Sequence, residues 1–250
     1  MSEFAYKDDY MFYDDLNYSI QTEDLAFYKK IIKNNKNILE VACGTGRIIS
    51  NLYKNANYIL GLDNSNEMLS IAKLKISSPK VEFLCENMTN LESVNKKFDY
   101  IICGYNSLQH LLNNEDLEKF LKGARELLNK DGILIIDIFN PNPQFLNIKK
   151  IHEYKCDFYS NYKKSNIIVE EERVYNPNSK INYITYIYKN NLGNVITKTN
   201  AKMKQYYDGD IEKILEKAKL KLDIKYGDYS FHKFHNNSPK QIFIIRKEEI

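Results

Sequence analysis

Apolar positions follow three different rhythms along the chain. From Asn37 to Phe139 short, mostly apolar runs recur: Ile38 to Val41, Tyr58 to Leu62, Val81 to Cys85, Phe98 to Cys103 and Ile133 to Phe139. Runs of this length with apolar neighbours on both sides predict strands buried on both faces. Between them the apolar period lengthens to that of helices. Ile48, Ile49 and Leu52 share a side of a helix expected over Arg47–Lys54. Met68, Leu69, Ile71 and Ala72 do so in a helix capped by Ser65 and ending near Lys75, and Asp116–Leu128 is amphipathic. Strand and helix in series argue for a parallel sheet with right-handed crossovers. Near Tyr154 the rhythm becomes strict alternation, in IIVEEERVY, INYITYIYK and VITKTNAKMKQYY, with turn residues at 176–179 and 190–194 between them. That predicts an antiparallel meander of three strands ending near Tyr206. The helical period returns over Asp210–Lys219, and Lys221–Tyr226 with Gln241–Arg246 read as a hairpin-like pair completing the first sheet.

The expected fold class is therefore α/β: a Rossmann-like, seven-stranded, mostly parallel sheet with helices on both faces, plus an inserted antiparallel β cap. Residues 1–150 and 207–250 form the main domain, and 151–206 form the cap. Ahead of the first strand, residues 1–21 are polar and tyrosine-rich, and Thr22 caps a helix running to about Lys33.

Chemistry concentrates at the first strand, turn and helix. Cys43-Gly44-Thr45-Gly46 is a tight turn, where glycine lets the backbone bend sharply and lets a ligand come close. The helix start behind it presents N–H groups and the positive end of a dipole. Asp63 ends the second strand 19 residues after Gly44, near the roughly 20 expected of a ribose-binding acid. A dinucleotide site wants a third glycine inside the helix. Here Arg47-Ile48-Ile49 follows Gly46, so an NAD-dependent oxidoreductase is the weaker reading. Any strand–helix–strand turn favours glycine, but acid, turn and second acid arrive here together.

Glu40-Val41-Ala42-Cys43-Gly44-Thr45-Gly46 resembles the E-x-G-x-G-x-G turn of class I S-adenosylmethionine-dependent methyltransferases, with Ala42 replacing the first glycine. Four further stretches resemble bacterial small-molecule members of that family: Tyr13-Asp14-Asp15-Leu16, Asn106-Ser107-Leu108-Gln109-His110-Leu111, Phe139-Asn140-Pro141-Asn142-Pro143, and Gly227-Asp228-Tyr229 through Ser238-Pro239-Lys240-Gln241-Ile242-Phe243. The resemblance implies S-adenosyl-L-methionine as cofactor, with Glu40, Ala42, Cys43, Gly44, Gly46 and Asp63 at its site. It also implies contacts from Asn64 and Met68 to the adenosine, and from Asn87, Met88 and Gly104 at the following strand ends. Relatives often carry Asp-Met where this chain has Asn87-Met88, and the Asn87 carbonyl accepts the adenine amino group more weakly than a carboxylate would. Tyr13 is carried over as a contact from a leader that folds over the cofactor. For Met68 a plain helix-core role competes.

On the acceptor side the segment leaving the fourth strand offers Tyr105 and His110 as candidate catalytic residues. His110 lies four residues after Asn106, so a helical turn places both on one side, and a histidine titrating near neutrality suits proton removal. Packing at a helix start is the plainer role for His110. The expected reaction is methyl transfer to a nitrogen or oxygen of a small molecule. A non-catalytic S-adenosylmethionine binder is the alternative.

Composition narrows this further. A net charge of +3 over 250 residues is too weak to argue for a nucleic-acid partner, and no N-P-P-Y motif of adenine-modifying enzymes follows the fourth strand. The four cysteines, Cys43, Cys85, Cys103 and Cys156, form no C-x-x-C pair, which fits reduced thiols and a cytoplasmic location. No histidine–cysteine spacing suits a metal. No apolar run nears the roughly 20 residues of a membrane span. The acceptor's identity and the oligomeric state stay open.

Overall fold

The computed structural model describes residues 10–20, 23–141 and 150–248. Thr22, the expected cap, and Asn142-Pro143 of the stretch that begins at Phe139 lie outside them. The chain divides into two compact units. One is Glu23–Asn140 with Tyr206–Ile250, and the other contains the described residues of Met1–Thr22 and Pro141–Gln205. The sequence reading kept residues 1–150 in one domain; contacts instead group the leader with the inserted segment.

The first unit is the α/β half. Its strands are β1 (Asn37–Val41), β2 (Tyr58–Asp63), β3 (Val81–Cys85), β4 (Phe98–Cys103) and β5 (Leu128–Phe139), with two later strands, β10 (Leu220–Tyr226) and β11 (Lys240–Lys247). The seven form one sheet in the order β10-β11-β5-β4-β1-β2-β3. β1 through β5 pair in parallel, and β11 runs antiparallel to both β5 and β10. The order reverses between β1 and β4, which makes the crevice beyond their carboxyl ends the switch point where ligands bind in such sheets.

The apolar runs explain themselves by burial. Leu39, Val41, Leu60, Leu62, Ile101 and Ile136 point to one face, where α5 (Asn114–Leu127) and α6 (Glu212–Lys217) pack. Ile38, Ile59, Tyr100, Ile102 and Ile135 point to the other, toward α2 (Glu23–Ile31), α3 (Ile49–Leu52) and α4 (Asn66–Lys75). Ser65 caps α4 by accepting the Met68 N–H at 3.2 Å, and Asn113 caps α5 through the Asp116 N–H.

One expected helix is much shorter than Arg47–Lys54. Residues 44–48 are turn, α3 holds four residues, and a 3₁₀ turn, Tyr53–Asn55, finishes the connection. So short a helix carries little dipole.

The second unit is a four-stranded antiparallel sheet in sequential order: β6 (Ile151–Ser160), β7 (Ser165–Asn176), β8 (Ile181–Asn190) and β9 (Val195–Lys204). The sequence predicts three of these. It misses β6 because that strand's side chains are mostly exposed and a bulge between Tyr154 and Cys156 breaks the alternation. Phe12 and Leu16, the latter from α1 (Tyr13–Ile20), pack with Phe158, Ile167, Val169 and Tyr188.

Candidate functional site

The carboxyl ends of β1, β2 and β4 collect most of the expected residues. After β1 the backbone enters the left-handed region at every second residue: Ala42 at φ 54°, Gly44 at 54° and Gly46 at 73°. That alternation curls the chain into a cradle. It also explains the glycine preference at the position of Ala42, where a Cβ costs about 1–2 kcal/mol in this conformation. At Gly46 a Cβ would also meet Ile76 and Ala72 at 3.1 and 3.3 Å.

Asp63 closes the cradle from β2. One carboxylate oxygen accepts the Gly44 N–H at 2.8 Å and the other the Ser65 N–H at 2.9 Å. Burial pushes its pKa up, against the amides of Ser65, Gly44 and Asn64. A carboxylate has about four acceptor positions, so these three amides leave room for a ribose hydroxyl. The curled backbone and a held acid with capacity to accept fit a nucleoside, and Gly44, Gly46 and Asp63 would hold it.

Glu40 plays an inward role. It is 4% exposed and accepts the Ile49 N–H at 3.1 Å. It thereby caps α3, whose Ncap Ile48 has no capping side chain. Burial lifts its pKa to about 8, although Arg47 and the Ile49 amide oppose this. The amide that sequence reasoning offered to a ligand is thus taken by the protein itself. Cys43 is buried, and its N–H bonds the Leu62 carbonyl at 3.0 Å.

Farther along the crevice, Asn64 is exposed while Met68 is 4% exposed and in the core of α4. Met88 is half-buried against the core. The Asn87 side-chain oxygen accepts both the N–H and the hydroxyl of Thr89 at 2.9 Å. Those two bonds occupy the oxygen expected to meet adenine. Tyr13 belongs to α1, in the other unit.

β4 exits through Gly104, Tyr105 and Asn106, the last two left-handed at φ 53° and 65°. Two consecutive non-glycine residues in this region store strain and need holding. Gly104 is buried, and a Cβ there would stand 2.6 Å from the Tyr28 hydroxyl and 2.9 Å from Ile48. Its glycine is thus required by packing from behind. The Tyr105 ring lies against the Arg47 guanidinium at 4.6 Å. Burial raises its phenol to about 12, with Arg47 opposing, so it holds its proton at neutral pH and makes a poor base. His110 ends a 3₁₀ turn, Ser107–His110, with Asn106 at its Ncap. At about 3.0 residues per turn, positions i and i+3 eclipse and i+4 falls on another side. The expected common side for Asn106 and His110 is therefore not formed.

A residue the sequence reading passed over organises this exit. Asp137, near the end of β5, is fully buried. It accepts from the Tyr28 hydroxyl, from Tyr229 at 2.8 Å, from the Tyr105 N–H at 2.8 Å and from the Lys240 ammonium at 3.3 Å. Its own carbonyl accepts the Asn106 N–H at 3.1 Å. Burial works to raise its pKa, but Lys240, Tyr28, the Tyr105 amide and Tyr229 together hold it below the usual carboxylate value. Its signal was visible: one acid inside the apolar run ILIIDIF. A second buried pair, Asp24 with Arg47, is bidentate.

A separate groove of about 910 Å³ lies at the amino-terminal ends of β4, β5 and β10, lined in part by Lys96, Lys97, Lys122, Arg125 and Lys219. It takes no part in the crevice. Among the described residues no cluster of histidine, cysteine and acid suits a metal, and no helix is long and apolar enough to cross a membrane.

Comparison with known proteins matches residues 38–132 to a family described as "Methyltransferase domain". A Geobacillus sp. (strain WCH70) protein, GWCH70_2453, a methyltransferase by name, is 37% identical over 105 residues, covering 41% of this chain and 42% of that protein. The chain thus spans about two fifths of that relative's length. A Staphylococcus epidermidis carboxy-S-adenosyl-L-methionine synthase is 29% identical over 165 residues, 60% of this chain and 68% of that one. Among solved structures, an S-adenosylmethionine-dependent methyltransferase from Clostridium acetobutylicum superposes with TM-score 0.77 at 22% identity, over 95% of this chain and 96% of that one. The sugar N-methyltransferase KedS8 from Streptoalloteichus gives 0.72 at 15% identity, over 99% and 96%. At such identities the structural likenesses show the fold.

Proposed function

We propose, from the match of residues 38–132 to the methyltransferase domain family, that this protein is an S-adenosylmethionine-dependent methyltransferase acting on a nitrogen or oxygen of a small molecule. The observation that carries the cofactor is Asp63, a buried acid fastened to Gly44 and Ser65 with capacity left to accept. The cofactor, when bound, supplies a sulfonium-activated methyl group. Gly44 and Gly46 admit the nucleoside, Asp63 accepts from its ribose, and the Tyr105–Asn106 turn forms the facing wall. Proximity and alignment provide most of the rate in such a displacement. Tyr105, protonated at neutral pH, serves as donor or packing surface. His110 is the candidate to take a proton from the acceptor.

For the acceptor class, the likeness to a sugar N-methyltransferase supports an amine on a small polar molecule. The low net charge supports acceptors other than nucleic acid, and the cysteine pattern supports a cytoplasmic setting. S-adenosylhomocysteine at 100 times its dissociation constant should stabilise the protein by about 2.7 kcal/mol. NADH should not, and Asp63→Ala should lose most of the effect. Stabilisation by NADH alone would overturn the reading. Methyl-labelled cofactor offered with amino sugars, glycine and their hydroxyl analogues then identifies the acceptor atom; label reaching none of them counts against the acceptor class.

A further inference from the structure

The crevice has two walls, and one helix touches both. Asp24 and Tyr28 are four residues apart on α2, so they project from one side of it. Asp24 pairs with Arg47, the residue directly after Gly46. Tyr28 donates to Asp137, whose same oxygen accepts the Tyr105 N–H. Both α2 side chains are fully buried. The turn after β1 and the turn after β4 are thus tied to one rigid element. Arg47 also crosses directly between them, resting on the Tyr105 ring. The sheet sets these turns side by side, since Glu40 of β1 is in register with Ile102 of β4, two residues before Ala42 and Gly104. Further bonds hold α2 in place: the Tyr100 hydroxyl donates to the Ile31 carbonyl, and Lys29 reaches Asn51.

Folding alone does not ask for this arrangement. Apolar side chains of similar volume often replace a buried ion pair without loss of stability. A charged pair and a phenol–carboxylate bond, aimed from one helix at the two turns flanking the switch point, specify the distance between those turns.

We infer that α2 is a strap across the crevice, and that Asp24 and Tyr28 are positioning residues that hold its two walls at the separation the cofactor needs. This rests on the reading that S-adenosylmethionine binds there. A crevice held open in its bound shape spares the ligand the cost of ordering it.

Tyr28→Phe is the decisive variant, because it removes one hydroxyl and keeps the ring. Amide hydrogen exchange and S-adenosylhomocysteine calorimetry are its readouts. Exchange should quicken at Tyr105 and Asn106, whose N–H groups bond Asp137. It should also quicken by about threefold or more at Ile49 and Ser50, which Tyr28 does not bond. Affinity for S-adenosylhomocysteine should fall about 5- to 10-fold. Asp24→Asn should produce the mirror result, loosening Tyr105 and Asn106 from the opposite wall. Should Asp24→Asn fail to fold, Tyr28→Phe decides by itself. A change confined to Tyr105 and Asn106, with affinity within twofold of the parent, overturns the strap. An unmodified protein that binds no S-adenosylhomocysteine overturns the cofactor reading, while the exchange arm still decides the coupling between walls.

Discussion

The two units treat charge in opposite ways. In the α/β unit the ionisable groups that matter are few and buried. Asp24, Glu40, Asp63 and Asp137 each stand at 8% exposure or less, and each is held by two or more partners or by a capped amide. In the antiparallel unit charge is spread along the strands. Glu170 lies between His152 and Lys189, while Glu171 lies between Lys155 and Arg173, across β6, β7 and β8. Such cross-strand pairs stabilise a sheet edge by small amounts each. The buried set instead sits at the carboxyl ends of the parallel strands, where function is expected. Burial with full hydrogen bonding is costly to assemble and marks a built site; partly exposed pairs such as Glu170 with Lys189 mark a surface, and Glu171 is the one buried acid of the ladders among the described residues.

The largest expected effect breaks the buried set. Asp137→Asn keeps the shape but removes the charge that neutralises the Lys240 ammonium, which is 6% exposed. Removing one partner of a buried pair costs about 3–5 kcal/mol. Chemical denaturation should register that loss, and a cost below about 1 kcal/mol would show that Asp137 is not the organising charge of the site. No comparable loss is expected from Glu170, whose partners His152 and Lys189 are partly exposed.

The next effect depends on pH. The Glu40 pKa is raised from 4.5 to about 8 in the fold, so the folded state binds the proton more tightly than the unfolded chain. Its contribution is fully present below about pH 4.5 and fades as pH rises through about 8, by up to about 1.4 kcal/mol per unit. Glu40→Gln remains uncharged at every pH. Relative to the parent it should flatten the decline in stability between pH 5 and 8, as followed by thermal melts across that range. Identical slopes would place the Glu40 titration elsewhere.

How much of this was legible in the sequence also differs between the units. The runs around Ile38, Ile59 and Ile101 were readable because a strand buried on both faces has no polar alternation to confuse. Ser65 was readable as a cap because its oxygen is local to the N–H it accepts. The first strand of the other sheet, β6, was not, since its exposed residues and bulge leave no period. Long-range partners were also hidden. Nothing local tells that Tyr28 meets Asp137, 109 residues away, or that Glu40 spends its carboxylate on Ile49. The shortness of α3 was hidden for the same reason, because Glu40 replaces a sequence-adjacent cap.

A smaller effect tests the cradle. Ala42 sits at φ 54°, where glycine avoids the strain of a Cβ but loses more freedom on folding. These oppose each other, so Ala42→Gly should stabilise by about 0.5 kcal/mol. It should leave S-adenosylhomocysteine affinity equal or better in calorimetry. Weaker binding would show that the methyl group itself packs on the ligand.

The smallest effect closes the comparison from the other side. Glu170 bonds His152 at 2.7 Å and pairs with Lys189, with a side chain 22% exposed. Its pKa is lowered by the Lys189 hydrogen bond first and by His152 second. A lowered carboxylate stabilises above its unfolded pKa and loses that contribution as pH falls through the folded value. Solvent screening keeps the sum small, so Glu170→Gln should cost under about 1 kcal/mol at neutral pH. Added salt should shrink the difference further, since exposed pairs are screened beyond about 10 Å at 0.1 M and progressively closer at higher ionic strength. Denaturation of both proteins at low and high salt checks both statements. A loss as large as that of Asp137→Asn, insensitive to salt, would mean the ladder holds a buried site of its own, and the contrast between the two units would fail.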